Sequence, residues 1–170
     1  RNTGANGAKH ERLIFIDADV ELYQGSLLKL CERFNNEPHL LGVNGVIGLN
    51  TKHQNIISIY VNSSLHFQLR SHGEYVNTAF TSFCILSKQA WKMMRGWDEH
   101  QHSRYVDDVN TRWYFPKNSI AQEKNALFRH NKKVQFFGLL KHRSNLGFHF
   151  FGNLRRNLGF EKNKLSEAII

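Results

Sequence analysis

Leu13-Ile14-Phe15-Ile16-Asp17-Ala18-Asp19 decides how this chain is read. Four consecutive apolar residues end in two carboxylates separated by one alanine. A continuous apolar run of this length fits a strand covered on both faces, as in a parallel sheet. In open α/β sheets ligands gather at the carboxyl ends of strands, so Asp17 and Asp19 stand where chemistry is expected. Two close negative charges repel, and partial burial raises the cost. A divalent cation removes it. An isolated pair of this kind also fits a solvated turn or a helix cap; the apolar strand in front of it is what points to binding.

Outward from that stretch, strand and helix patterns alternate. Leu27, Leu30, Cys31 and Phe34 recur at helical spacing, which predicts a helix over 26–34 that stops before Pro38. Residues 40–47 read as a strand, with Gly42, Gly45 and Gly48 permitting close backbone approach. Residues 56–61 read as a strand and 63–70 as a helix. Residues 80–86 form an apolar strand, after which Ser87 caps a short helix over 88–94 carrying Trp91 and Met94 on one face. Gly96 closes it. A polar loop over 96–105 leads to a helix over 106–115 that ends before Pro116. A last strand is predicted over 134–137. Strands alternating with helices argue for an α/β layer architecture.

Composition narrows the function. The chain has 170 residues, 41% of them hydrophobic, with 13 Phe and 3 Trp, enough for the core of one domain. The net charge of +9 favours anionic partners such as nucleotide diphosphates, anionic lipid or nucleic acid. Cys31 and Cys84 lack CxxC spacing, which argues against a zinc site or disulfide framework and suits free thiols in a reducing cytoplasm. No run is long enough to span a bilayer. Neither a phosphate-binding glycine loop nor a nucleophile elbow occurs. The first residue is Arg1 rather than Met, so the sequence is expected to begin mid-protein.

A second acidic cluster follows. Gly96-Trp97-Asp98-Glu99 precedes Tyr105-Val106-Asp107-Asp108-Val109 across a polar loop. A carboxylate set against an acceptor hydroxyl can take its proton as it attacks, worth roughly 10²–10⁴-fold. Asp107 also fits a helix N-cap and Asp108 a first-turn acid favoured by the helix dipole. His100 and His102 flank Gln101 without ligand spacing and read as a solvated loop. Phe148, Phe151, Leu154 and Leu158 repeat at helical spacing beside Arg155 and Arg156. That basic amphipathic tail suits an anionic membrane surface or packing onto the domain.

Taken together, the segments resemble glycosyltransferase family 2, whose members have the GT-A fold. Arg1-Asn2-Thr3-Gly4-Ala5-Asn6-Gly7-Ala8 is similar to the family's RNxGxxxA segment. The run 13–19 resembles its strand and DxD pair, and 80–91 followed by Gly96-Trp97-Asp98-Glu99 resembles its apolar strand and GFDE turn. Asp107-Asp108 stands where the family has Glu-Asp. The likeness covers about residues 1–142, and 143–170 forms the tail. It implies a GT-A-like, Rossmann-like mixed sheet flanked by helices, N-terminally incomplete because the family's first strand and helix lie upstream of Arg1. It also departs from the family: 80–84 lacks a glycine, Trp97 replaces Phe, and Arg112 is the nearest match to the arginine of the acidic helix.

The resemblance implies roles as well. Asp19 would hold Mg²⁺ or Mn²⁺, with Asp17 on the metal or the nucleotide ribose and Arg1 on the donor side. Asp108 would be the base of an inverting displacement, with Asp107 shaping the acceptor site. Trp97, Asp98 and Glu99 would line the acceptor side, and His142 matches the family's late histidine on metal or diphosphate. The partners implied are a nucleotide-diphosphate sugar and a glycan or lipid-linked acceptor, at the cytoplasmic face of a membrane and without nucleic acid. Two other readings compete: a nucleotidyltransferase of similar layout, and a non-catalytic basic binding module that leaves the acidic strand end unexplained.

Overall fold

The computed structural model describes residues 1–97, 111–141 and 144. Its body is a mixed sheet of β1 (Arg12–Ile16), β2 (Val20–Leu22), β3 (Gly42–Ile47), β4 (Tyr75–Val76), β5 (Phe83–Ser87) and β6 (Ile120–His130). The order is β1-β5-β3-β6-β2, with β4 beside the first residues of β6. β3 and β6 run parallel, whereas β5 is antiparallel to both β1 and β3. Helices α1 (Asn2–Gly7), α2 (Ser26–Asn36), α3 (Ile56–Ser71) and α4 (Lys88–Met93) flank the sheet. This is the α/β layer architecture expected from the alternating patterns, with the mixed sheet that the family resemblance implied.

Alternation along each strand sends side chains to two cores. Val43, Ile47, Phe83 and Ile85 meet Leu30 and Phe34 of α2. Leu13, Phe15, Cys84 and Leu86 meet Ala90 and Trp91 of α4 on the other face. With both faces covered, all six residues of β3 are buried. Gly45 is needed there: a Cβ on it would lie 2.2 Å from Phe83 Cδ1 and 2.8 Å from the Ala126 carbonyl oxygen. β1 differs from its expected burial on both faces. Leu13 and Phe15 enter the core, but Ile14 and Ile16 are exposed, because β1 lies at the margin of the sheet and pairs antiparallel with β5. An unbroken apolar run conceals that period-2 pattern.

The two carboxylates lie on an unusually short crossing. β1 and β2 are joined by Asp17, Ala18 and Asp19 alone, yet they occupy opposite ends of the strand order. Four flat strand spacings would separate them by ~19 Å. Four Cα steps reach at most ~14 Å. The sheet must therefore coil, and the register of β6 against β3 shifts between Asn44 and Val46, which pair with Gln122 and Leu127. Beyond that irregularity the end of β6, with β2, curls back toward the carboxyl end of β1.

Two predicted strands are corrected. Residues 56–61 belong to α3, not to a strand. Asn55 caps the helix by accepting from the Ser58 backbone N–H at 2.9 Å. Its inward side is partly polar: Asn62 Nδ2 donates to the carbonyls of Gly48 and Leu49, each at 2.8 Å, and His66 Nδ1 lies 2.7 Å from the Ile47 carbonyl, while Leu65 and Leu69 pack on the core. These bonds occupy carbonyls at the end of β3, so the apolar residues that read as a strand face outward. Residues 134–137 are likewise not a strand; residues 136–141 are helical. The strand of this region is β6. The polar stretch Gln122-Glu123-Lys124-Asn125 at its irregularity breaks the apolar pattern and hides it.

Candidate active site

β1 delivers Asp17 to the carboxyl end of the sheet. Its backbone N–H donates to the Ser82 carbonyl at 3.2 Å, which continues the β1–β5 pairing by one residue. The Asp17 carbonyl accepts from the Val20 N–H at 3.1 Å and closes the turn. Its carboxylate is held from two sides: Oδ1 accepts from Arg1 at 2.8 Å and Oδ2 from the Ser82 hydroxyl at 3.0 Å. Arg1 supplies the counter-charge that a partly buried carboxylate requires.

Asp19 sits on the far side of the turn. Its carbonyl accepts from the Asn131 N–H at 2.7 Å, so the end of β6 fixes its backbone. Its carboxylate is half exposed and lies 3.6 Å from His130 Nδ1. β2 is fastened to β6 by Glu21 and Arg129, which form a forked pair at 2.7 and 3.1 Å. The Arg129 hydrogen bond holds the Glu21 carboxyl below its ordinary value. The pair is solvent-accessible and so orients β2 rather than stabilising the fold much.

Residues 1 and 2 join this turn to the second acidic segment. The Arg1 guanidinium that bonds Asp17 lies 5.7 Å from the centre of the Trp97 ring. Asn2 clips the backbone of Trp97 with one amide: Oδ1 accepts from the Trp97 N–H at 2.8 Å, and Nδ2 donates to its carbonyl at 2.7 Å. Phe15 of β1 meets the same ring edge-on at 5.7 Å. Gly96 permits the clip, with φ of 76° and a position at which a Cβ would come within 3.0 Å of Asn2 Oδ1. Alanine at Asn2 leaves both Trp97 backbone groups without these partners, an expected loss of about 1–3 kcal/mol. Urea denaturation of the intact protein, followed by tryptophan fluorescence, checks it; an unchanged midpoint would show that the clip contributes nothing.

Of the residues singled out in the sequence, Asp17, Asp19, Arg1 and Trp97 are brought together. Asp98, Glu99, Asp107, Asp108 and His142 lie outside the described residues. Among the described residues no group of three or more His, Cys, Asp or Glu side chains converges. A cation here would rest on two carboxylates, with further oxygens from a phosphorylated ligand. That hard-oxygen donor set fits Mg²⁺ or Mn²⁺. Three contributors escaped the sequence reading. Ser82 and Asn2 act through hydrogen bonds between residues 65 and 95 positions apart. His130 stands at the end of a strand whose pattern is interrupted.

A family model described as "Glycosyl transferase family 2" matches residues 1–152. A solved structure of the mannosyltransferase PcManGT from Pyrobaculum calidifontis, in complex with GDP-Man and Mn2+, matches at a TM-score of 0.60 and 14% sequence identity. The match covers 91% of this chain and 42% of that one, so this chain spans less than half the length of that neighbour. At this identity the likeness speaks for the fold, which is GT-A-like as the sequence implied. No curated protein matches the chain.

Proposed function

The chain belongs to glycosyl transferase family 2, and from that membership we propose that it transfers a sugar from a nucleotide-diphosphate sugar to an acceptor hydroxyl, in a cation-dependent, inverting displacement. The observation that carries this reading is the pair Asp17 and Asp19 on one taut turn, with Arg1 linking Asp17 to Trp97. Asp19, with Asp17, is the proposed holder of Mg²⁺ or Mn²⁺. When bound, such an ion stabilises the negative charge of the departing diphosphate. Asp17 orients the donor, its carboxylate kept in place by Arg1 and Ser82. His130 or His142 is the histidine of this side.

The acceptor approaches from the Trp97 side, where Asp98 and Glu99 follow directly in sequence. Asp108 is the proposed base: it takes the proton of the acceptor hydroxyl as that oxygen attacks the anomeric carbon. Asp107 beside it shapes the acceptor site. The Arg1–Asn2 clip sets the distance between the two sides, and orientation of this kind is a large part of catalysis.

The test is a transferase assay on the intact protein with Mn²⁺ and a panel of GDP- and UDP-sugars. GDP-mannose comes first, since the neighbouring mannosyltransferase was solved with it. Acceptor-dependent release of nucleotide diphosphate is expected to stop with a chelator and to return with Mn²⁺. Asp108→Asn is expected to lower kcat by about 10²–10⁴-fold. Turnover indifferent to chelation and to Asp108→Asn would overturn the proposal.

A further inference from the structure

α3 packs Leu65 and Leu69 on the core, yet it also leaves large apolar side chains on its outer face. Its polar Ser58 and Asn62 are buried, and His66 bonds toward the sheet, whereas Ile56, Tyr60 and Phe67 form a stripe facing outward. Ile56 is 79% exposed and Phe67 64%. A stripe at positions i, i+4 and i+11 lies on one side of a helix. It does not stand alone. The Val134 N–H donates to Ser58 Oγ at 2.9 Å, and His53 Nε2 lies 3.1 Å from the Asn131 carbonyl. Residues 131–134 thus run along the start of α3 and lead into the helical residues 136–141, where Phe136 and Phe137 are also exposed, the latter 82%.

The two segments that build this face carry no acid of their own, although Asp19 and Glu21 adjoin Asn131 at its edge. The sequence holds no acidic residue between Glu37 and Glu74, and none between Glu123 and Glu161. Lys132, Lys133 and Lys141 stand exposed beside the two phenylalanines. Exposed aromatic residues rimmed by lysine are the signature of a surface that lies in the interface of an anionic membrane. A second copy of the chain would set lysine against lysine. Residues 145–170 carry four cations against two acids and have the same sign. Among the described residues no helix is long and apolar enough to cross a bilayer, so the contact is one of lying on the surface.

We infer that the outer face of α3 and residues 136–141 seat this protein on an anionic phospholipid surface. This inference is independent of the catalytic reading. The experiment is co-sedimentation of the intact protein with vesicles of phosphatidylcholine alone or with phosphatidylglycerol added. Binding is expected only with phosphatidylglycerol and is expected to weaken as salt approaches ~1 M. The pair Phe136→Ser with Phe137→Ser should reduce partitioning by about tenfold or more, because two rings no longer leave water. Tyr60→Ser with Phe67→Ser should do the same from α3. Lys132→Glu with Lys133→Glu should remove the preference for the anionic lipid. All three pairs are exposed, and unchanged thermal melting checks that they fold. Wild-type protein left in the supernatant, or all variants binding as wild type does, would overturn the inference. Self-association abolished by the same substitutions in the absence of vesicle binding would overturn it as well.

Discussion

Asparagine at Asp19 is expected to lower kcat of the intact protein about a thousandfold while leaving its melting temperature unchanged. Asparagine has the same shape, and the bond that fixes the backbone here, from Asn131 N–H to the Asp19 carbonyl, does not involve the side chain. The half-exposed carboxylate faces His130 at 3.6 Å, a solvent-screened contact that adds little to the stability of the fold. What disappears is the charged oxygen proposed to hold the cation. Stabilisation of a departing diphosphate is worth several kcal/mol, and about 4 kcal/mol converts to roughly three orders of magnitude in rate. Asp17→Asn is a less clean experiment, since it also strips Arg1 of its counter-charge. Rates measured across a Mn²⁺ titration decide the matter. Turnover within about threefold of wild type at saturating Mn²⁺ would remove the cation from Asp19.

The largest effect on stability is expected at Gly45. Its Cβ position is already occupied by Phe83, whose side chain is wholly buried between β3 and α2, and is closed on the other side by the Ala126 carbonyl, which is backbone and cannot rotate away. Overpacking at such a place costs about 1–3 kcal/mol for a single methyl and more for a branched side chain. Against a total stability of roughly 5–15 kcal/mol, Gly45→Val is expected to leave little folded protein. Gly4→Ala is the control. A Cβ there meets nothing within 4 Å, and the residue lies in α1, so alanine should be neutral or stabilising by about 0.5–1 kcal/mol. Urea melts of both variants distinguish the cases. A Gly45→Val protein as stable as the Gly4→Ala control would mean that β3 and β5 pack more loosely than described.

The residues differ in how openly the sequence declares them. The strand and acidic pair at 13–19 were legible because their signal is local: an apolar run that stops abruptly at two charges. The cap at Ser87 was legible for the same reason, and its side chain does accept from the Ala90 N–H. α3 was misread over 56–61 because its buried positions are polar. The usual inference from apolar to buried reverses when asparagine and serine must satisfy strand-end carbonyls. β6 was lost because an irregular pairing interrupts its period. Asn2 and Ser82 were out of reach for another reason: nothing in a local pattern marks a hydrogen bond to a distant backbone group. The family resemblance found the region of Trp97, but not the amide that holds it.

The crossing of three residues between β1 and β2 has a thermodynamic meaning. A slack loop would let the two carboxylates drift apart when alone and would have to be ordered whenever a ligand arrived. Here both ends of the turn are hydrogen-bonded, Asp17 to Ser82 and Asp19 to Asn131, and the chain between them has no spare length. The entropy of confining two like charges is therefore incurred once, during folding, and is not repeated at each binding event. For the cation site proposed above, tightness of the polypeptide at this point would itself be part of the affinity.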